Sequence, residues 1–265
     1  MSAVFFLFLF HSAVGLMGAL ALVPETAGDR FFKFCSATSA FMTTAGIWLL
    51  ARRFGLAGGP GAPGGPAYSL TLATAATALV FMILYNRARL FGWSRLQGPC
   101  LAGALLAGGG AVVAGAPEGS RAFVACVDAC SALLIGASAG AMILGHWYLV
   151  VLDLPISALR RLTVLLAAGL VLRGLTVALA LLGVAGALEG ARAVAMGLWS
   201  PDGIFVWMRL LFGIAAPASL IGFIWKTVEI RSTQSATGIL YVQLFLVMSG
   251  ELLAKYLRVA AGFPL

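Results

Sequence analysis

LTVLLAAGLVLRGLTVALALLGVAGA, residues 162–187, runs for 26 residues with one charge, Arg173. A helix rises about 1.5 Å per residue, so this stretch is long enough to cross a hydrocarbon core of about 30 Å. In lipid every backbone polar group must be satisfied inside the chain, which leaves helices or a closed barrel. Barrel strands alternate over about ten residues. This run is unbroken, so it is a membrane helix.

The same pattern recurs along the 265 residues. Apolar segments fall at 3–23, 31–51, 67–86, 98–116, 124–152, 162–187, 203–226 and 236–261. The expected fold is all-α: a bundle of eight transmembrane helices, 1–265 being one membrane domain. Composition agrees, with 62% hydrophobic and 10% charged residues and a mean hydropathy of +1.03. A soluble core of this size could not bury so much apolar surface. The connections are short, and that from Gly55 to Pro66 is rich in Gly and Pro and reads as a flexible loop. A four-plus-four division is compatible with the pattern but not demanded by it.

The formal charge of +8 sits mainly between apolar runs, where Lys and Arg anchor membrane edges. No basic cluster is long enough for a nucleic-acid groove, so nucleic acid is excluded as a partner and the lipid bilayer takes its place. Nine Lys and Arg flank the odd-numbered connections and six the other side. That bias makes the odd connections cytoplasmic and both termini periplasmic in a multi-pass protein of a bacterial inner membrane. Ala19-Leu20-Ala21 resembles a signal-peptidase site, but no Lys or Arg precedes Arg30, so the first segment is expected to stay as a helix.

Ionisable groups inside lipid are expensive and mark function by default. Five stand out as ligand-binding or proton-relay candidates: His11, Arg173, Arg209, Glu251 and Lys255. Counted from the helix ends at about 1.5 Å per residue, they fall in one half of the membrane. Arg209 and Glu251 lie on consecutive antiparallel helices and are expected to pair. Glu251 and Lys255 are four apart, in the order that favours an intrahelical pair. Arg173, near the midplane, lacks a partner on its own helix and calls for an anionic partner or a cavity. Pro217 suits local backbone opening. Equally, these charges could only neutralise one another and hold the bundle.

Secondary polar candidates are His146, Gln234, Tyr241 and Gln243. Gln234 belongs to a polar entry into the last helix, where such residues cap, and Tyr241 and Gln243 follow it as a surface for a partner or a lipid-soluble head group. His146-Trp147-Tyr148 reads as an interfacial belt. Gly136-x-x-x-Gly140 allows close helix approach. His11 and His146 are the only histidines and differ in depth, which excludes a bis-histidine haem and leaves a single-histidine haem as the lesser cofactor option. The four cysteines form no metal box, no metal site is expected, and no nucleotide or hydrolase motif appears.

Eight helices in a short chain are similar in build to the quinol-handling membrane subunits of respiratory oxidoreductases, such as the polysulfide-reductase type. The likeness is of size and helix count and carries no residues across. It implies a quinone-interacting electron-transport subunit with partner redox subunits. The rival expectations are an ion-coupled small-solute transporter, which broken helices or inverted repeats would favour, and a non-catalytic scaffold or assembly subunit.

Overall fold

The computed structural model describes residues 1–59, 62, 67–116, 121–151, 154–185, 198–199 and 203–261. Most of the Gly/Pro-rich loop, the expected ends of the fifth and sixth segments, and Arg192 lie outside these residues. Among them the structure is all-helical, with eight helices long and apolar enough to cross a membrane. They are α1 (Ser2–Leu20), α2 (Asp29–Phe54), α3 (Tyr68–Leu90), α4 (Ser94–Ala114), α5 (Arg121–Trp147), α6 (Ser157–Ala185), α7 (Gly203–Glu229) and α8 (Thr233–Ala261). Several begin three to five residues before the apolar runs do. Arg121 and Ser157 open α5 and α6, because a helix continues past the hydrocarbon into the polar interface.

The helices close two rings. α1 packs on α2, α2 on α3, α3 on α4, and α4 returns to α1. α5 packs on α6, α6 on α7, α7 on α8, and α8 returns to α5. α1 and α5 run in the same direction and pack directly on each other, so the eight helices form one bundle. The rings join where α1 meets α5 and α8 and where α4 meets α5. α1 is accordingly the most enclosed span, with 72% of its apolar window buried against 17% for α7.

Small residues make that junction possible. A Cβ added to Gly15 of α1 would overlap the backbone of Ala132 and press on Gly136 of α5, and one on Gly136 would overlap Gly15. Further along, Gly140 meets Ala19. Lipid supplies no hydrophobic drive between helices, so such backbone contact is what packing relies on.

With an even helix count, Met1 and the end of α8 face one side, here the terminus side. On the far side, Glu25 in a short 3-10 turn accepts hydrogen bonds from Arg89 at the end of α3 through both carboxylate oxygens, one at 2.7 Å. Arg89 also reaches Asp29 at 3.3 Å and lies 4.0 Å over the Phe32 ring. That guanidinium holds the Glu25 carboxyl below its ordinary range. Trp147 at the end of α5 donates to Ala27 O at 3.0 Å, tying the second ring to the first ring's turn.

Candidate functional site

The site begins with α8. One face of this helix carries Glu251, Lys255 and Arg258, three and four residues apart, and the helix packs on α5, α1 and α7. Opposite it, α5 presents Asp128 and Ser131, likewise one turn apart. A lipid-buried carboxylate is tolerable only if cations or donors surround it.

Glu251 has both. Arg173 from α6 donates to it through Nε at 2.8 Å and Nη2 at 3.3 Å. Arg209 from α7 donates through Nη2 at 2.8 Å, and Ser131 Oγ at 2.5 Å. The expected Arg209–Glu251 pair is thus present. Arg173, for which the sequence offered no counter-charge on its own helix, shares the same carboxylate across the ring. Arg173 Nη1 also reaches Thr176 Oγ1 at 3.2 Å.

Asp128 anchors the second half of the cluster. Lys255 donates to it at 3.0 Å, Arg258 pairs with its other oxygen, and His11 Nδ1 stands 3.8 Å away, too far for a hydrogen bond. The expected Glu251–Lys255 pair gives way here. Lys255 hydrogen-bonds Asp128 because the neighbouring helix offers a carboxylate that the two arginines have not already engaged. His11, Asp128, Arg173, Arg209, Glu251 and Lys255 are each 1% exposed or less. They gather in two adjacent groups, one on Glu251 and one on Asp128, contributed by α1, α5, α6, α7 and α8. From the terminus-side helix ends, Arg209, Asp128, His11, Glu251 and Arg173 lie about 9 to 18 Å deep.

Asp128 is the member that sequence reading missed. It lies inside the expected fifth segment, one turn from that segment's start, where a charge reads as interfacial. α5 in fact begins at Arg121, which sets Asp128 about 10 Å in. Arg258 was legible only as a membrane-edge cation.

Arg209 is the member with donors left over. Its Nε and Nη1 have no hydrogen-bond partner among the described residues. Nη1 lies where a Cβ of Gly213 would sit, and a Cβ on Gly250 of α8 would overlap Gly213. Only two glycines facing each other leave room for the guanidinium. The backbone here is distorted: α7 widens into a π turn at Leu211–Ala215, directly after Arg209. Pro217 follows, and its ring opposes the carbonyl four residues earlier, that of Gly213; widening the turn relieves that clash.

The secondary candidates do not join this cluster. His146 is exposed near the far end of α5, about 27 Å along that helix from Asp128, whereas His11 sits beside Asp128. One iron could not bridge the two histidines. Gln234 and Tyr241 are exposed. Gln243 is fully buried, and neither end of its amide has a partner among the described residues. Tyr241 and Gln243 are two apart on a helix, so they face opposite ways rather than forming one surface.

Scans against protein-family models, curated proteins and solved structures find no match to this chain.

Proposed function

We propose that this multi-pass bundle is an ion-coupled transporter of a small anionic solute, with the buried charge cluster as its coupling site. The observation that carries the reading is α7. It is interrupted by a π turn just after Arg209, where α7 packs on α8, and the guanidinium there has two nitrogens without an acceptor among the described residues. Interrupted helices that aim polar groups at the repeat interface, well inside the membrane, are how secondary transporters build substrate sites. π turns favour functional positions.

Charge supports an anion. Among the described residues the cluster sets Arg173, Arg209, Lys255 and Arg258 against Asp128 and Glu251. Arg258 is part exposed, and the other three cations are buried with the two carboxylates, where a cation without its counter-charge is costly. Glu251, held by two arginines, is the group whose protonation would release them to a solute anion. The excess of Lys and Arg on the far side fits a bacterial inner membrane with periplasmic termini. The redox-subunit and scaffold readings draw on the same buried charges, and no separate observation favours either.

The test uses the full chain in liposomes on a solid-supported membrane, challenged with inorganic phosphate, sulfate, and mono- and dicarboxylates, with and without a pH gradient. Expected is a saturable, pH-dependent charge movement for one anion class that Glu251→Gln abolishes. No response to any of these anions from folded chain, under either gradient, would sink the reading.

A further inference from the structure

Beside the charge cluster, α1, α4 and α5 leave a crevice of about 500 Å³ between them. Its floor is Gly15 and Gly18 of α1, and both stay partly exposed although α1 is the most enclosed span. Its rims include Gly109 and Val113 on α4 and Ala129 on α5, all exposed, so the crevice faces the lipid sideways. The bare floor has a packing origin. Gly15 must lack a side chain to pack on Ala132, and the same bareness leaves a slot between α4 and α5 over α1.

Length and width decide what fits. Ala125 to Ala132 along α5 is about 10 Å, and Gly15, which packs on Ala132, to Leu22 along α1 is about another 10 Å. A volume of about 500 Å³ over about 20 Å leaves a cross-section of about 25 Å². A further helix, about 10 Å across, needs about three times that area. One extended hydrocarbon chain, with neighbouring carbons about 4 Å away, matches it. The length also takes in the depth of one leaflet, about 15 Å.

The terminus-side mouth is charged. Arg121 opens α5 and lies one turn before Ala125 on the same stripe. Arg258, in the last turn of α8, reaches the carbonyl of Gly115, two residues past Val113, at 3.5 Å and is 13% exposed. Asp128 is the acid beside it among the described residues. Lys255 and Arg258 both pair with that carboxylate, so the three groups carry one net positive charge.

We infer that the crevice holds one acyl chain of an anionic phospholipid from the terminus-side leaflet, with the lipid phosphate at Arg258 and Arg121. The phosphate supplies the negative charge that the mouth calls for, whereas an ethanolamine headgroup brings an ammonium to the same cations. Arg258 is then shared between the phosphate and Asp128, which joins the lipid to the charge cluster through one side chain. The chain wedges between α4 and α5 and sets the spacing of the two rings. The inference is independent of the transport reading, and its test needs no flux.

The experiment is native mass spectrometry of the full chain, released from detergent with dioleoyl phosphatidylglycerol and dioleoyl phosphatidylethanolamine added in equal amounts. One phosphatidylglycerol is expected to stay on each chain, with at least tenfold preference over phosphatidylethanolamine. Gly109→Leu should abolish that retention by plugging the crevice, and the fold has room for it, since no atom lies within 4 Å of a Cβ there. Gly18→Leu, whose Cβ meets only Leu105 Cδ2 at 3.7 Å, is the second plug. Arg258→Gln and Arg121→Gln should each cut the preference for phosphatidylglycerol at least threefold. In thermal melts, added phosphatidylglycerol should raise the melting temperature of the wild-type chain and of neither plug. Equal retention of the two lipids, undiminished retention by either folded plug, or a preference that neither arginine variant lowers would overturn the inference. So would a second copy of the chain in place of lipid, seen as a dimer that Gly109→Leu separates. If the plugs fail to fold, the two arginine variants decide.

Discussion

Replacing Glu251 by Gln should be among the most damaging single changes to this fold. The carboxylate accepts from Arg173 at 2.8 and 3.3 Å, from Arg209 at 2.8 Å and from Ser131 at 2.5 Å, all fully buried. A glutamine keeps one acceptor but removes the charge that two guanidinium ions face. Breaking a buried pair by deleting one partner costs about 3–5 kcal/mol. Here two cations lose their counter-ion, so the upper end applies. At about 2–4 °C per kcal/mol for a chain of this size, the melting temperature should fall by about 10 °C or more. Arg209→Gln leaves Arg173 on Glu251 and should cost less. The double replacement should recover only part of the loss, because Arg173 still lacks the Glu251 carboxylate, and adding Arg173→Gln should recover more. The assay is thermal unfolding in detergent followed by size-exclusion fluorescence, arranged as a mutant cycle with couplings of about 0.5–3 kcal/mol. Strictly additive losses, or a drop of under about 2 °C for Glu251→Gln, would refute the shared-carboxylate network.

Asp128→Asn should destabilise less than Glu251→Gln, because Arg258 is 13% exposed and can turn toward the terminus-side interface; the same melts compare them. Gly136→Leu should drive α1 from α5, since even a Cβ there overlaps Gly15, and cross-linking between cysteines placed on the two helices should fall with it. On the far side, Arg89 depresses the Glu25 carboxyl, so this contact adds stability above the ordinary carboxylate range and loses it as pH falls through the lowered value. Melts from pH 7 to 3 should show an acid-side decline that is shallower in Glu25→Gln, with the variant already weaker at pH 7.

Helix count and the Arg209–Glu251 contact were legible because each depends on short-range information: run length in one case, depth on consecutive helices in the other. The remaining partners were not. Lys255 chooses Asp128 over the residue one turn away on its own helix, and nothing within α8 encodes that choice. Arg173 reaches Glu251 from 78 positions away. Both depend on which faces α5, α6 and α8 turn to one another, set by small residues such as Gly136 and by packing order. Tyr241 and Gln243 show the same limit, since adjacency in sequence suggested one surface and the helix places them on opposite sides. The π turn left only Pro217 as a trace.

Because α8 carries Glu251, Lys255 and Arg258, a span made after the seven others brings half of every ion pair in the cluster. Until it arrives, Asp128 lacks Lys255 and Arg258, and Arg173 and Arg209 have been inserted without their carboxylate. The nascent chain must therefore hold its earlier spans at the insertion machinery, or let their charges linger near the headgroups, until α8 has been made. A chain stopped before residue 251 would present bare arginines to the membrane, which is a signature that quality-control proteases are able to detect.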